Sequence, residues 1–312
     1  MENEQPETQN TEQNKSKPDR LLPASIVIAS LVLGLTWIYS TGLKATVADK
    51  DKTPVEIADQ HGGNTVAPSE TIEIPVVWGD LGQKMAEAGV YDKDKLLALY
   101  ASRGGLSSED RKLVDGNGNG RIKITQSNAG LVLNLLWAFG LANKNEILEK
   151  GEMQNPQYGG AGKFASTGGW SLSKGSPMDH FSMHGFVKLT PEQQALVEKT
   201  SQGIYRPCCG NSTHFPDCNH GMAMLGLLQL LASQGATEEE MYQTALTMNT
   251  LWFPNEYGVI AQYLNSQGSS LSKTDPREIL GAAYSSGSGI ARIKALVPLA
   301  TPKSQGGGGC GV

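Results

Sequence analysis

Five residues able to bind soft metals, form disulfides or act as nucleophiles fall within thirteen positions of this chain: Cys208, Cys209, His214, Cys218 and His220. Elsewhere the 312 residues hold only one more cysteine, Cys310, and three more histidines, His61, His180 and His184. This crowding marks Tyr205 to Met224, YRPCCGNSTHFPDCNHGMAM, as the stretch most able to do chemistry.

Cys218 and His220 are two apart and project to one side of an extended backbone. The run then opens into a helix that Asn219 can cap, from His220 to Ser233. Free amides and the helix dipole at that end favour a thiolate, which helps metal binding and nucleophilic attack alike. Zinc usually draws two ligands from a turn of the C-x(2–4)-C type. The adjacent Cys208 and Cys209 depart from that spacing. A mixed site of one of them with Cys218 and one or both of His214 and His220 still satisfies a metal's needs.

A second group lies just upstream in SPMDHFSMHG. Ser176 as cap, Pro177 in the first turn and Gly185 as stop predict a short helix. His180 and His184 then stand at i and i+4 on one face, a spacing used by helical metal sites. Met178 and Met183 beside them suit copper, whereas zinc suits the cysteines equally well. The glutamate of a zinc-hydrolase H-E-x-x-H motif is missing, which argues against a metallopeptidase. Only one predicted helix, Thr190 to Gly203, separates this pair from the cysteine loop, so the two segments are expected to meet. Met222 and Met224 sit at helical spacing in an apolar run and are expected in the core.

Two other readings compete. A disulfide from Cys208 or Cys209 to Cys218 closes a loop of about ten residues, stabilising by roughly 2–3 kcal/mol. That reading leaves one cysteine of the loop over. Alternatively, Cys209 or Cys218 serves as an enzyme's nucleophile with a histidine as base. No recognised triad spacing accompanies it.

Asp115-Gly116-Asn117-Gly118-Asn119-Gly120-Arg121-Ile122 resembles the start of an EF-hand calcium loop. Oxygen-bearing side chains stand at positions 1, 3 and 5, glycine at 6 and an aliphatic residue at 8. The resemblance implies weak Ca2+ binding at Asp115, Asn117 and Asn119, because Lys123 and Gln126 replace two later ligands. The competing reading is an Asn-Gly turn that needs no ion.

These groups need elements to hold them. Residues 1–20 are polar, without aliphatic or aromatic side chains after Met1, and read as a disordered cytoplasmic tail. Leu21 to Leu43 carries no charge and is long enough to span a bilayer, with Trp37 and Tyr39 near its far end. Lys15, Lys17 and Arg20 place the N-terminus inside, which makes the rest extracytoplasmic, where disulfides persist. Residues 44–71 form a linker that includes His61. Residues 72–298 form a helical globular domain with the Cys/His loop at 205–220, and residues 299–312 form a glycine-rich flexible tail carrying Cys310.

The expected fold class is therefore mainly α: one N-terminal transmembrane helix, then a loop-rich helical extracytoplasmic domain. Short helices are predicted over Asp80–Ala88 and Asp92–Ser102, and a buried one over Gly130–Leu148. Others begin at Thr190, Thr237 and Asp275. Gln154 to Gly175 reads as a glycine-rich loop without P-loop spacing, so nucleotide binding is not indicated. A net charge of −5 gives no basic surface for nucleic acid. The sequence-based expectation is a membrane-anchored protein that binds copper or zinc through a Cys/His cluster, for metal handling or redox sensing. The alternatives are a cysteine-nucleophile enzyme or a disulfide-stapled interaction domain.

Overall fold

A computed structural model describes residues 70–297. The tail, the apolar run 21–43, nearly all of the linker with His61, and Cys310 lie outside the described residues. Among the described residues no helix is long and apolar enough to cross a membrane.

The domain opens with strand β1 (Ile72–Gly79), whose alternation puts Ile74, Val76 and Trp78 inward. Helices α1 (Leu81–Glu87), α2 (Lys93–Ala101) and α3 (Ser108–Asp115) follow. Strand β2 (Asn119–Ile124) returns antiparallel to β1, pairing Ile72 with Ile124 and Gly79 with Asn119. The register slips between Glu73 and Val77, around Pro75, which has no N–H for the ladder. On β1's outer side the Gln234 amide accepts from Val77 N–H at 2.8 Å and donates to Val77 O at 3.0 Å, so a side chain closes the edge.

Beyond this two-stranded sheet the described elements are helical: α4 (Ala129–Ala142), α5 (Glu146–Lys150), α6 (Pro191–Gly203), α7 (Asn219–Ser233), α8 (Glu238–Trp252), α9 (Pro254–Ser266), α10 (Pro276–Leu280), α11 (Ala282–Ser285) and α12 (Gly287–Leu296). Helices α4 and α7 are apolar nearly all round and form the centre of the core. They approach closely because Gly140 and Gly226 face one another's helix backbone. A Cβ at Gly140 would collide with the Met222 carbonyl, and one at Gly226 with that of Leu136. Met222 and Met224 are buried in this contact. Thr190 and Thr237 start α6 and α8 with complete capping boxes.

Two predicted elements differ. The helix expected over Gly130–Leu148 ends at Ala142 and restarts at Glu146. Asn143 turns extended, accepts from Val187 N–H at 2.9 Å and donates to Gln229 Oε1 at 2.8 Å. The second correction concerns His180 and His184, which do not share a helix. Only a single 3-10 turn forms, over Pro177–Asp179, capped by Ser176. Ser182 then takes a left-handed φ of 55°. The N–H groups of Ser182 and His184 donate to Leu141 O and Ala142 O at 2.8 and 2.9 Å. The carbonyls left open at the end of α4 thus draw this segment away from helical self-pairing.

Candidate metal centre

The cysteines occupy the loop between α6 and α7. Its base is closed by Ile204, whose carbonyl accepts from both the N–H and the Oγ1 of Thr213 at 2.8 and 3.0 Å. Its outer face is tied to distant elements. Tyr205 N–H donates to Leu280 O at 2.8 Å, and Gly287 N–H, at the start of α12, donates to Cys209 O at 2.7 Å. Phe215 packs against Tyr158 and Phe164 with ring centroids 5.4 Å apart, so the glycine-rich loop clamps the cysteine loop.

Arg206 organises the interior. It is 1% exposed. Its Nε donates to Cys218 Sγ at 3.0 Å and its Nη1 to Asn211 O at 3.0 Å. Its Nη2 donates to Phe215 O at 3.2 Å and to Asp217 Oδ1 at 2.6 Å. The other Asp217 oxygen accepts from Asn211 Nδ2 at 2.8 Å. The guanidinium lies against the first turn of α7, where a Cβ at Gly221 would come within 2.5 Å of Arg206 Cζ. A glycine is required there by close approach rather than by backbone angle.

The sulfurs of Cys208, Cys209 and Cys218 converge to within 4.8 Å of one another. Cys208 Sγ and Cys218 Sγ are 3.5 Å apart. Cys208 is exposed, while Cys209 and Cys218 are half-buried, and all three are free thiols. Cys218, not Asn219, is the N-cap of α7: its sulfur accepts from Gly221 N–H at 3.4 Å. Hydrogen bonds from Cys208 and Cys209, then His220 and the Arg206 charge, hold the Cys218 pKa well below the ordinary thiol value, against the effect of burial. Cys208 is pushed the other way, first by its hydrogen bond to Cys209 and then by that to Cys218. Cys209 is lowered by Cys208 but raised more by Cys218 and burial, to about 11.

A cysteine cluster of this kind can hold a metal ion. Thiolates bound at about 2.3 Å to a tetrahedral ion stand roughly 3.8 Å apart, against 3.5 Å for Cys208 and Cys218 and an upper bound of 4.8 Å for the trio. Arg206 would supply a charge-assisted N–H···S bond behind the ligands, the position from which second-shell groups orient a site.

The histidines are placed differently from one another. His220 borders the trio and stabilises the Cys218 thiolate, its ring packed 4.4 Å from Phe253 and its Nδ1 buried without a hydrogen-bond partner. The backbone N–H of His214 donates to Ser201 O at 3.1 Å. Among the described residues no histidine joins the three sulfurs within the 4.8 Å radius. His180 and His184 pair with each other instead, Nδ1 to Nε2 at 3.0 Å. His180 Nε2 also faces Lys174 O at 3.1 Å.

The calcium-like run is a turn. The Asp115 carboxylate pairs with Lys93 at 3.4 Å and Arg111 at 3.5 Å. The Asn119 amide donates to Gly79 O and Lys112 O at 2.8 and 2.9 Å, closing the entry to β2, while Asn117 is exposed beside left-handed Gly118. These contacts use the run as the Asn-Gly turn that competed with the calcium reading.

Sequence reasoning did not single out Arg206, Asp217 or Asn211. The available signal was an arginine two residues before the cysteine pair and an aspartate just before Cys218. Comparison with protein-family models, with curated proteins and with solved structures finds no match.

Proposed function

We propose that this protein binds a soft transition-metal ion, copper(I) or zinc(II), through Cys208, Cys209 and Cys218, and that it carries or buffers the ion. The observation behind the reading is the convergence of three sulfurs within 4.8 Å, next to a buried cation. Three thiolates with no histidine nitrogen inside the 4.8 Å radius suit copper(I). Zinc would require a fourth ligand, and His220 or water is the nearest candidate. The cavities of about 420 Å3, lined by Gln243, Leu246 and Leu271, and about 620 Å3, lined by Lys144, Val187 and Gln194, have no cysteine in their walls.

The uncharged run from Leu21 to Leu43 adds the second half of the proposal, a membrane tether with the domain outside the cytoplasm. Carbonate extraction of cells would leave the chain in the membrane fraction; its recovery in the wash would remove the tether.

The test of the metal reading is elemental analysis of the full chain purified without a metal-affinity tag. About one copper or zinc ion per chain is expected, falling to background in Cys218→Ser. His184→Gln should retain the ion. Metal-free protein that also fails to take up either ion under reduction would end this reading.

A further inference from the structure

Resting on the metal reading, we propose that Cys208 and Cys218 form a reversible disulfide that expels the ion, so that the site couples metal occupancy to thiol redox state. Three observations place the bond. The Cys208 and Cys218 sulfurs are already 3.5 Å apart, and closing to a bond of about 2.0 Å takes a shift of roughly 1.5 Å. That shift falls within the turn carrying Cys208, whereas Cys218 is fixed at the head of α7 by Gly221 N–H and Arg206 Nε. Cys208 is also the exposed member, the one that an incoming oxidant can reach.

Cys209 is the sulfur left over. Its neighbour in sequence is Cys208, and a bridge between adjacent residues closes a strained ring. Its carbonyl is held by Gly287 N–H at 2.7 Å, which fixes the backbone on its C-terminal side. Oxidation would thus remove two of the three ligands and leave one thiol, too few to retain the ion.

The oxidant is a low-molecular-weight disulfide, and the exchange balances. Cys208, a thiolate when it ligates the ion, attacks one sulfur of the oxidant, breaking its S–S bond, forming a mixed disulfide and releasing one thiol. Cys218 then attacks Cys208, forming the internal bond and releasing the second thiol. Two electrons pass from the protein to the oxidant, and the protons of the two cysteines leave on the released thiols. With the ion bound both cysteines are already thiolates, so the ion departs and the two released thiolates take their protons from solvent.

The experiment uses the full-length chain in detergent, reduced and loaded with zinc(II), a probe with no redox chemistry of its own. It is equilibrated with glutathione at increasing ratios of oxidised to reduced form. Zinc release is read with a chromophoric chelator, and thiol pairing by mass spectrometry of peptides. The expected result is stoichiometric zinc release in step with a peptide linking Cys208 to Cys218, reversed on reduction. Cys209→Ser should still form that bridge, and Cys208→Ser should form none. Zinc binding without a bridge, or zinc kept after bridging, overturns this inference and leaves the metal reading standing. A chain that forms the bridge but binds no zinc when reduced overturns the metal reading and the coupling with it. A bridge from Cys209 to Cys218 overturns the assignment of Cys208.

Discussion

The cysteine loop and the histidine turn both gather metal-binding side chains, yet they differ in how far each satisfies itself. In the turn, His180 uses both ring nitrogens, one on His184 and one on the Lys174 carbonyl. His184 stacks on Phe186 with centroids 5.0 Å apart. The pair is complete as a packing element, with its hydrogen bonds internal to the fold. In the loop, three sulfurs share a small space, and their cation is held at 1% exposure. Sulfur is a weak hydrogen-bond acceptor, so the geometry leaves ligand capacity unspent. Residue types alone make both groups look like sites. Convergence with unspent lone pairs separates one from the other.

The largest effect is expected at Arg206. Arg206→Met fills much of the volume but removes the cation shared by Asp217, Cys218 and the carbonyls of Asn211 and Phe215. Removing one partner of a buried charge pair typically costs about 3–5 kcal/mol, because the other is left unpaired. A fall of that size in the urea unfolding free energy is expected. Alkylation of Cys218 should also shift to higher pH, since the guanidinium helps hold its thiolate. A variant as stable as the parent would mean that the loop is organised by something other than this cation.

A smaller and more local effect is expected at Gly221→Ala. The added methyl would meet a guanidinium pinned by hydrogen bonds, so the clash cannot be relieved by swinging the arginine away. Overpacking of this kind costs roughly 1–3 kcal/mol. Zinc or copper affinity should fall as well, because Arg206 would be pushed off Cys218. Gly258→Ala, where a methyl meets open space, is the matched control in a second helix. Equal behaviour of the two would show that the approach of Arg206 to α7 is unimportant.

The same contrast shows what could be read in the sequence. Clustering of Cys208, Cys209 and Cys218 is visible in one dimension, because ligands brought together by a single loop are close in sequence as well. The apolar α4 and α7 were legible for a similar reason, since helical periodicity is local. The burial of Arg206 was not. It depends on Asp217 and on a missing Cβ at Gly221, eleven and fifteen residues away, and neither feature stands out alone. The helix expected at the histidines does not form because the competition is long-range. Local caps at Ser176 and Pro177 were correct, but the carbonyls of Leu141 and Ala142 captured the backbone donors that a helix required. The cap of α7 fell on Cys218 rather than Asn219 because a sulfur, a weak acceptor, took a position usually filled by oxygen.

The smallest expected effect comes from the histidine turn, and it sharpens the view of that turn as structure. Lys174 O accepts from His180 Nε2–H, which leaves His180 Nδ1 as the acceptor for His184 Nε2–H. Burial, then the neighbouring His180, lowers the His184 pKa from 6.5. The folded chain therefore binds fewer protons than the unfolded chain over this range, and stability rises with pH there. The contribution is present above pH 6.5 and is lost as pH falls through the lower folded value. His184→Gln keeps an amide donor for His180 but cannot titrate. Its unfolding free energy should show a shallower decline than the parent's between neutral and mildly acidic pH, with metal content unchanged. If instead the substitution strips the ion while leaving the pH dependence intact, His184 belongs with the cysteines and the contrast between the two regions fails.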